Sequence, residues 1–440
     1  MYKSVQPNIW VFKRFQEISK PTNGIVDGPF GSDLKVSDYI DDTEQGIPVL
    51  TTKNLTGDYS PKSVRYISQD KFEQLKRSAV FPGDILVAKI GSIGKCCIYP
   101  LGSKTAMIPA NLLKITLLES MNRKFVYYYI SSSGFQRILK SISTATAQPA
   151  FNVTKFRNLT IPAPPLPEQD RIVAQIEELF SDLDKGVEAL QTIKAQLKVY
   201  RQAVLKEAFE GKLTSEWREI NNRRILHKFQ SIVSLGEDMP ALPESWEYVC
   251  LSQLGDLARG KSKHRPRNDE ILFKGGSYPF VQTGDIKAAN KFLTTYSTMY
   301  NEVGLKQSKL WPINTLCITI AANIAETAFL GIEACFPDSI VGFTANPMLI
   351  TKEYVGYFIQ SAKVKLWAFA PATAQKNINL GTLENLYVPY CHYDEQIQIV
   401  MEIESRLSVC DKIEQTVDES LVKAESLRQS ILKKAFEGRL

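Results

Sequence analysis

The densest concentration of reactive side chains in this 440-residue chain is a run of five cations in nine residues: Arg259, Lys261, Lys263, Arg265 and Arg267, interleaved with Gly260, His264 and Pro266. Guanidinium and ammonium groups strung along a loop neutralise phosphates, the main source of affinity for a polyanion. A solvated basic loop is the plain alternative. Lys376 belongs to the same region, and Lys53, Lys89, Lys95, Lys155 and Arg157 form a second, earlier set. A further group has the chemistry to read base edges: Thr52, Asn54, Ser92, Gln148, Gln282, Asn323, Gln375 and Asn377. Amides pair with adenine through two hydrogen bonds at once, which discriminates among bases where a phosphate contact cannot. Gln148 and Gln375 stand out because each closes the same string, Ala145-Thr146-Ala147-Gln148 and Ala372-Thr373-Ala374-Gln375.

Groups that would make or break bonds are not recognisable, so no catalytic, cofactor-binding or metal-binding residue is expected in this chain. Asn346-Pro347-Met348-Leu349 lacks the second proline and the aromatic residue with which amino-methyltransferases hold their target. Gly94-Lys95 is followed by Cys96, and Lys89 stands where a phosphate-binding loop needs its first glycine. His227, His264 and His392 are far apart, and Cys96-Cys97 are adjacent rather than spaced for zinc.

The elements that must position these residues are declared by an internal repeat. Glu168 to Leu213 returns as Glu395 to Leu440 at a constant offset of 227 residues, with Glu-Gln, Ile-Val, Asp-Lys and Ala-Phe-Glu-Gly in matching places. Ile172, Ile176, Leu179, Leu183, Gly186, Leu190, Ile193, Leu197, Tyr200 and Val204 alternate steps of four and three, and Ile399, Ile403, Leu407, Cys410, Ile413, Val417, Leu421, Ala424, Leu427 and Ile431 do nearly the same. This is the a/d rhythm of a coiled coil. Pro167 suits a first helical turn, and Gly211 and Gly438 suit left-handed helix ends. Each copy therefore predicts one helix, ~65 Å long at ~1.5 Å per residue, and a seam of that length predicts that the two helices pack on each other.

The rest falls into place around them: a globular segment at 1–166, a helix at 167–213, a polar linker at 214–240, a second globular segment at 241–390 and a helix at 391–440. Both globular segments combine short apolar or alternating runs with Gly/Pro/Asp turns, predicting strand-rich α+β domains, and the first adds one helix from Asn122 to about Lys140. The positive charge is uneven, with 21 basic against 12 acidic residues in 1–166 and 14 against 12 in 241–390. That distribution points to a polyanion met by the globular segments while the helices hold them. Nothing resembles a membrane span or a secretory leader, since Lys3, Pro7, Lys13, Arg14 and Glu17 break the first twenty residues. The odd number of cysteines, seven, fits a reducing cytoplasm.

Ile161-Pro162-Ala163-Pro164-Pro165-Leu166-Pro167-Glu168-Gln169, entering a long helix that closes with Ala208-Phe209-Glu210-Gly211-Lys212-Leu213, resembles the specificity (S) subunit of type I DNA restriction-modification enzymes. Leu242-Pro243-Glu244-Ser245-Trp246-Glu247 resembles the opening of a target-recognition domain in that family. The second helix entry, Val388 to Gln396, departs from the pattern by lacking the double proline and its leucine. The resemblance spans essentially the whole chain. It implies two target-recognition domains alternating with two long helices packed as an antiparallel coiled coil, a pseudo-two-fold internal repeat. It further implies a chain with no catalysis of its own that binds double-stranded DNA and joins two methyltransferase (M) subunits and restriction (R) subunits. S-adenosylmethionine would then belong to M, and ATP with Mg to R. A specificity subunit of another methylating or cleaving system, and a coiled-coil adaptor that ignores DNA, remain the competing readings.

Overall fold

The computed structural model describes residues 10–41, 44–56, 58–60, 64–144, 148–221, 223–225, 227–229, 239–321, 323–368 and 377–440. The repeat is realised as two helices of 44 residues, Leu166–Phe209 and Tyr393–Phe436, whose bounds differ by the same offset at both ends. Each stops as its glycine requires. Gly211 and Gly438 take φ of +72° and +70°, and the next residue's N–H reaches back to close a six-to-one bond, Lys212 to Glu207 and Arg439 to Lys434.

The chain divides into two compact units, residues 1–191 with 418–440 and residues 192–417. Each long helix thus contributes one half to each unit. Within the first unit Asp184 pairs with Arg428, and within the second Arg201 pairs with Asp411 at 2.7 Å. Residues 184 and 411, and 201 and 428, are repeat mates, so the two ion pairs are one contact made twice, as a self-complementary antiparallel pairing demands. The two helices pack on each other, but the seam is not uniformly buried. Ile172, Ile176, Ile399 and Ile403 are buried at the entries, whereas Leu179, Ile193, Tyr200, Ile413 and Leu427 remain exposed. The entries are dry because a domain core packs on them, and along the rod Leu197, Cys410 and Val417 are buried while their seam neighbours stay wet.

In the first unit an antiparallel sheet runs in the order Cys96–Ile98, Ile85–Ala88, Leu112–Ile115, Ile25–Asp27. Ile85 to Ala88 are buried on both faces, which is why this strand reads as an unbroken apolar run. In the second unit the order Thr327–Leu330, Leu316–Thr319, Ile340–Ala345, Gly255–Arg259 repeats it, with Phe292–Leu293 added as a fifth strand parallel to Thr327–Leu330. The sheets share a backbone requirement. A Cβ on Gly28 would lie 2.1 Å from the Ile108 carbonyl oxygen, and one on Gly260 would lie 2.3 Å from that of Phe336. A second, five-stranded sheet in the first unit, from Tyr39–Ile40 to Ala79–Val80, has a two-stranded counterpart in the other, Tyr278–Phe280 with Thr298–Tyr300.

Each domain grips the helices through one short helix. The single helix expected after Asn122 is two, Arg123–Ser131 and Ser133–Ser141, because Ser132 leaves the helical region and its hydroxyl caps the second, accepting from the Phe135 N–H. Phe125 and Tyr129 hold Phe436 between them at 5.2 and 5.1 Å. In the second unit Tyr354 and Phe358, on the helix Lys352–Ser361, hold Phe209 at 5.1 and 5.3 Å. Tyr128 and Tyr357 donate to the repeat mates Glu177 and Glu404, at 3.4 and 3.3 Å. Burial, and then the adjacent carboxylates, push both phenols up, so they stay protonated as donors.

The stretch expected to be a bare linker is more than that. It opens with a helix, Ser215–Asn221, and Ile225 and Phe229 pack on the second unit's core.

Candidate nucleic-acid interface

In each domain one turn and one exit segment come together. In the first, Ile85–Ala88 folds back into Cys96–Ile98 through Gly91 and Gly94, at φ +77° and +80°. The segment leading out of the domain zips onto this turn: Ile90 bridges Ala150, the Gly91 N–H donates to the Pro149 carbonyl at 3.2 Å, and the Phe151 N–H to the Lys89 carbonyl at 3.3 Å. Ser92, Lys95 and Gln148, chosen from distant stretches of sequence, therefore share one exposed rim. In the second domain Leu316–Thr319 folds into Thr327–Leu330, with Ala325 at φ +63° where the first domain has Gly94. Ala321 bridges Asn377, and the Ile378 N–H donates to the Ile320 carbonyl at 3.0 Å, so Asn323 and Asn377 are neighbours. Ala150 and Asn377 are repeat mates. Gln375 and Lys376 lie outside the described residues.

Two expected contacts are corrected. Asn54 is fully buried; its Oδ1 accepts from the Thr51 N–H and its Nδ2 donates to the Ser60 carbonyl, both at 2.6 Å. An amide with both ends engaged inside the fold cannot reach a base. Lys89 is buried too, with its Nζ 2.6 Å from Asp27 Oδ2 and its ammonium above the Phe30 ring. A buried lysine next to its counter-ion is structural. Lys53 and Lys155 are exposed, while Arg157 is half-buried and donates through Nη2 to the Ile25 carbonyl at 2.6 Å.

The basic run of the second domain is ordered by its own hydrogen bonds. Arg265 Nη1 donates to the carbonyls of Ser262 and His264 at 2.8 and 2.7 Å, and Gln307 Oε1 accepts from the backbone N–H groups of Lys263 and His264. His264 hydrogen-bonds Asp269 at 2.9 Å; this bond, with the Ile271 N–H, holds the Asp269 carboxyl below its usual range. Lys261 and Lys263 are exposed. Arg259 donates through Nε and Nη2 to the Asp338 carbonyl oxygen at 2.9 and 2.7 Å, and Arg267 Nη2 lies 2.7 and 2.9 Å from the two carboxylate oxygens of the same residue. Arg267 and Gln282 meet in an open groove of about 440 Å³, also lined by Asn268, Thr283, Phe280 and Ser339.

The most regular geometry belongs to the glutamine that starts each helix, whose bonds spacing alone does not predict. Gln169 accepts from the Asn122 N–H at 2.8 Å and donates to the Pro164 carbonyl at 2.8 Å. Gln396 accepts from the Thr351 N–H at 3.1 Å and donates to the Cys391 carbonyl at 3.0 Å. Asn122 and Thr351 are the caps of the two gripping helices, so each glutamine ties domain to rod in the same way. Its identity at both copies was the available signal. Among the described residues no three His, Cys, Asp or Glu side chains are grouped to hold a metal, and no helix is long and apolar enough to cross a membrane.

Comparison with known proteins matches residues 34–199 and 243–422 to the family model described as the type I restriction modification DNA specificity domain. The type I restriction enzyme EcoBI specificity subunit of Escherichia coli is 24% identical over 438 residues, 98% of this chain and 86% of that subunit. The putative MjaX specificity subunit of Methanocaldococcus jannaschii is 24% identical over 391 residues, 85% and 82% of the two chains. Among solved structures, a chain from work on complex assembly and conformational transition of the type I R-M system superposes with a TM-score of 0.72 over the full length of both chains at 18% identity. The HsdS subunit from Thermoanaerobacter tengcongensis gives 0.55, also at 18% identity, over 99% and 98%.

Proposed function

The chain belongs to the type I restriction modification DNA specificity family, and from that premise we propose that it reads an asymmetric, bipartite DNA target and presents it to methyltransferase and restriction subunits. The observation that carries this is the recurrence, in two domains of unlike sequence, of a polar turn zipped to the exit segment, Ile90 on Ala150 in the turn of Ser92 and Ala321 on Asn377 in the turn of Asn323. Equivalent placement with different side chains is what two half-sites of different sequence need. A helix of 44 residues is ~66 Å long, commensurate with DNA turns of ~34–36 Å, so the pair serves as a ruler that sets an unspecified gap between the halves. Lys53, Lys95, Lys155, Lys261 and Lys263 supply phosphate contacts, and the residues of the turns and the groove read base edges. The chain itself supplies no bond-making group in this scheme; methyl transfer to adenine and ATP-driven cleavage belong to the M and R partners. The seam residues left exposed, Leu179, Ile193, Tyr200 and Ile413, suit docking of M subunits on the helices.

Mapping methylated adenines by single-molecule sequencing in cells with and without this chain tests the reading. A motif of two unlike segments with a fixed gap should vanish with the chain, and replacing residues 241–390 should change one segment only. An unchanged methylation map, together with DNA binding indifferent to salt, would instead identify a protein adaptor.

A further inference from the structure

Asp338 is out of place on a surface that binds a polyanion. It contacts Arg259 and Arg267, the two ends of the basic run, where a negative charge opposes phosphate binding. Stability does not account for it either, because the Arg267 and Asp338 side chains are 48% and 39% exposed, and ion pairs that wet contribute ~0–1 kcal/mol. What it does do is geometric. Its carboxylate takes one nitrogen of Arg267, and its backbone carbonyl takes the fork of Arg259. Two guanidinium planes are thereby held by a single residue, and Nε and Nη1 of Arg267 have no partner among the described residues. Arg267 lines the groove, as do Pro337 and Ser339 on either side of Asp338.

We propose that Asp338 is a positioning residue for DNA readout by the second domain, holding Arg259 and Arg267 so that Arg267, with Asn268 and Gln282, meets base edges in the groove. The inference rests on the DNA-reading function above. It gives up phosphate affinity to gain direction, since a guanidinium held at Nη2 keeps its remaining Nε–H and Nη1–H donors turned toward base acceptors that a freely rotating one meets poorly. Arg267 and Arg259 supply the contact and the approach; Asp338 touches no base.

The test uses the full chain with its methyltransferase partner and duplexes carrying the motif found by methylation mapping, with either half intact or scrambled. Asp338→Asn should cut discrimination at the half read by residues 241–390 by about tenfold, the order of one charge-assisted hydrogen bond to a base. It should leave the other half unchanged and leave affinity for scrambled duplex equal or higher. Arg267→Ala should produce the same loss, and Asp338→Asn added to Arg267→Ala should add little. Asp338→Glu, which keeps the carboxylate, should recover part of the discrimination. Full discrimination by Asp338→Asn would overturn the proposal, as would equal losses at both halves with a lowered unfolding temperature, the mark of a merely structural residue. If the wild-type chain discriminates neither half, the DNA-reading function itself falls.

Discussion

Where the strand Ile25–Asp27 ends, the first domain carries an acid. Asp27 lies between Lys89, at 2.6 Å, and Arg77, at 3.6 Å. At the matching place, one residue before the other closely approached glycine, the second domain carries Arg259, held by the carbonyl of Asp338. The backbone is the same and the charge is reversed. The helix entries show the converse: Gln169 and Gln396 make the same bonds with the same atoms. The contrast separates what the repeat must preserve, the attachment of domain to rod, from what it is free to exchange, the side chains at strand ends and turns. Between these extremes stands the residue before each glutamine. Glu168 is one-third exposed and pairs with Arg171 at 2.7 Å. Glu395 is buried and accepts from the Trp246 Nε1 at 3.0 Å, the Thr214 hydroxyl at 2.8 Å and the Arg218 guanidinium. The second entry, which lacks the double proline, is thus tied down by a carboxylate, a tryptophan and the connector helix.

The sharpest way to break the attachment is to empty its aromatic sockets. Phe209→Ala and Phe436→Ala should each cost about 3–5 kcal/mol, the usual range for a buried phenylalanine; calorimetry that shows a small loss for either would mean that its socket collapses or is dispensable. Next comes the unequal pair of glutamates. Glu395→Ala strands Arg218 and two neutral donors and should cost about 3 kcal/mol, whereas Glu168→Ala should cost under ~1. Equal denaturant midpoints for the two variants would erase the asymmetry between the two helix entries. A smaller effect, about 0.5–1 kcal/mol, is expected for Arg201→Ala, which has two carboxylate partners at 2.7 and 3.0 Å; Arg428→Ala should resemble it through loss of Asp184 and the Phe180 ring at 4.3 Å. The least is a pH effect. The Arg171 hydrogen bond holds the Glu168 carboxyl below its usual value, so the pair's contribution is complete above pH ~4.3 and fades as pH falls through the lowered value. Titrating wild type against Glu168→Gln should show curves that converge only at the acid end.

Much of the scaffold was legible because it is periodic or repeated. Heptad spacing announced both helices, and Gly211 and Gly438 marked their ends. The recurring exit string led to Gln148 and its rim, although its own alanines and threonine lie outside the described residues. What resisted reading depends on partners far apart in the chain. The cluster around Glu395 joins Thr214, Arg218 and Trp246, and none of these announces its neighbours by spacing. Asn54 and Lys89 had the right chemistry for a surface role, but burial is decided by tertiary packing. Ser132 looked like one more helical serine until its hydroxyl was seen to start a new helix. Asp338 carries no signal in the sequence because a lone acid says nothing of itself; its meaning lies in the two arginines it holds.

The seating of Phe436 between Phe125 and Tyr129 sets a timetable for biosynthesis. About three hundred residues must be translated after Tyr129 before that ring exists, which at ~5–20 residues per second is roughly 15–60 s. Throughout that interval the earliest-made domain presents an unfilled aromatic notch. Nascent chains stalled before residue 418 should therefore engage chaperones through this notch, and supplying residues 418–440 as a separate peptide should release them.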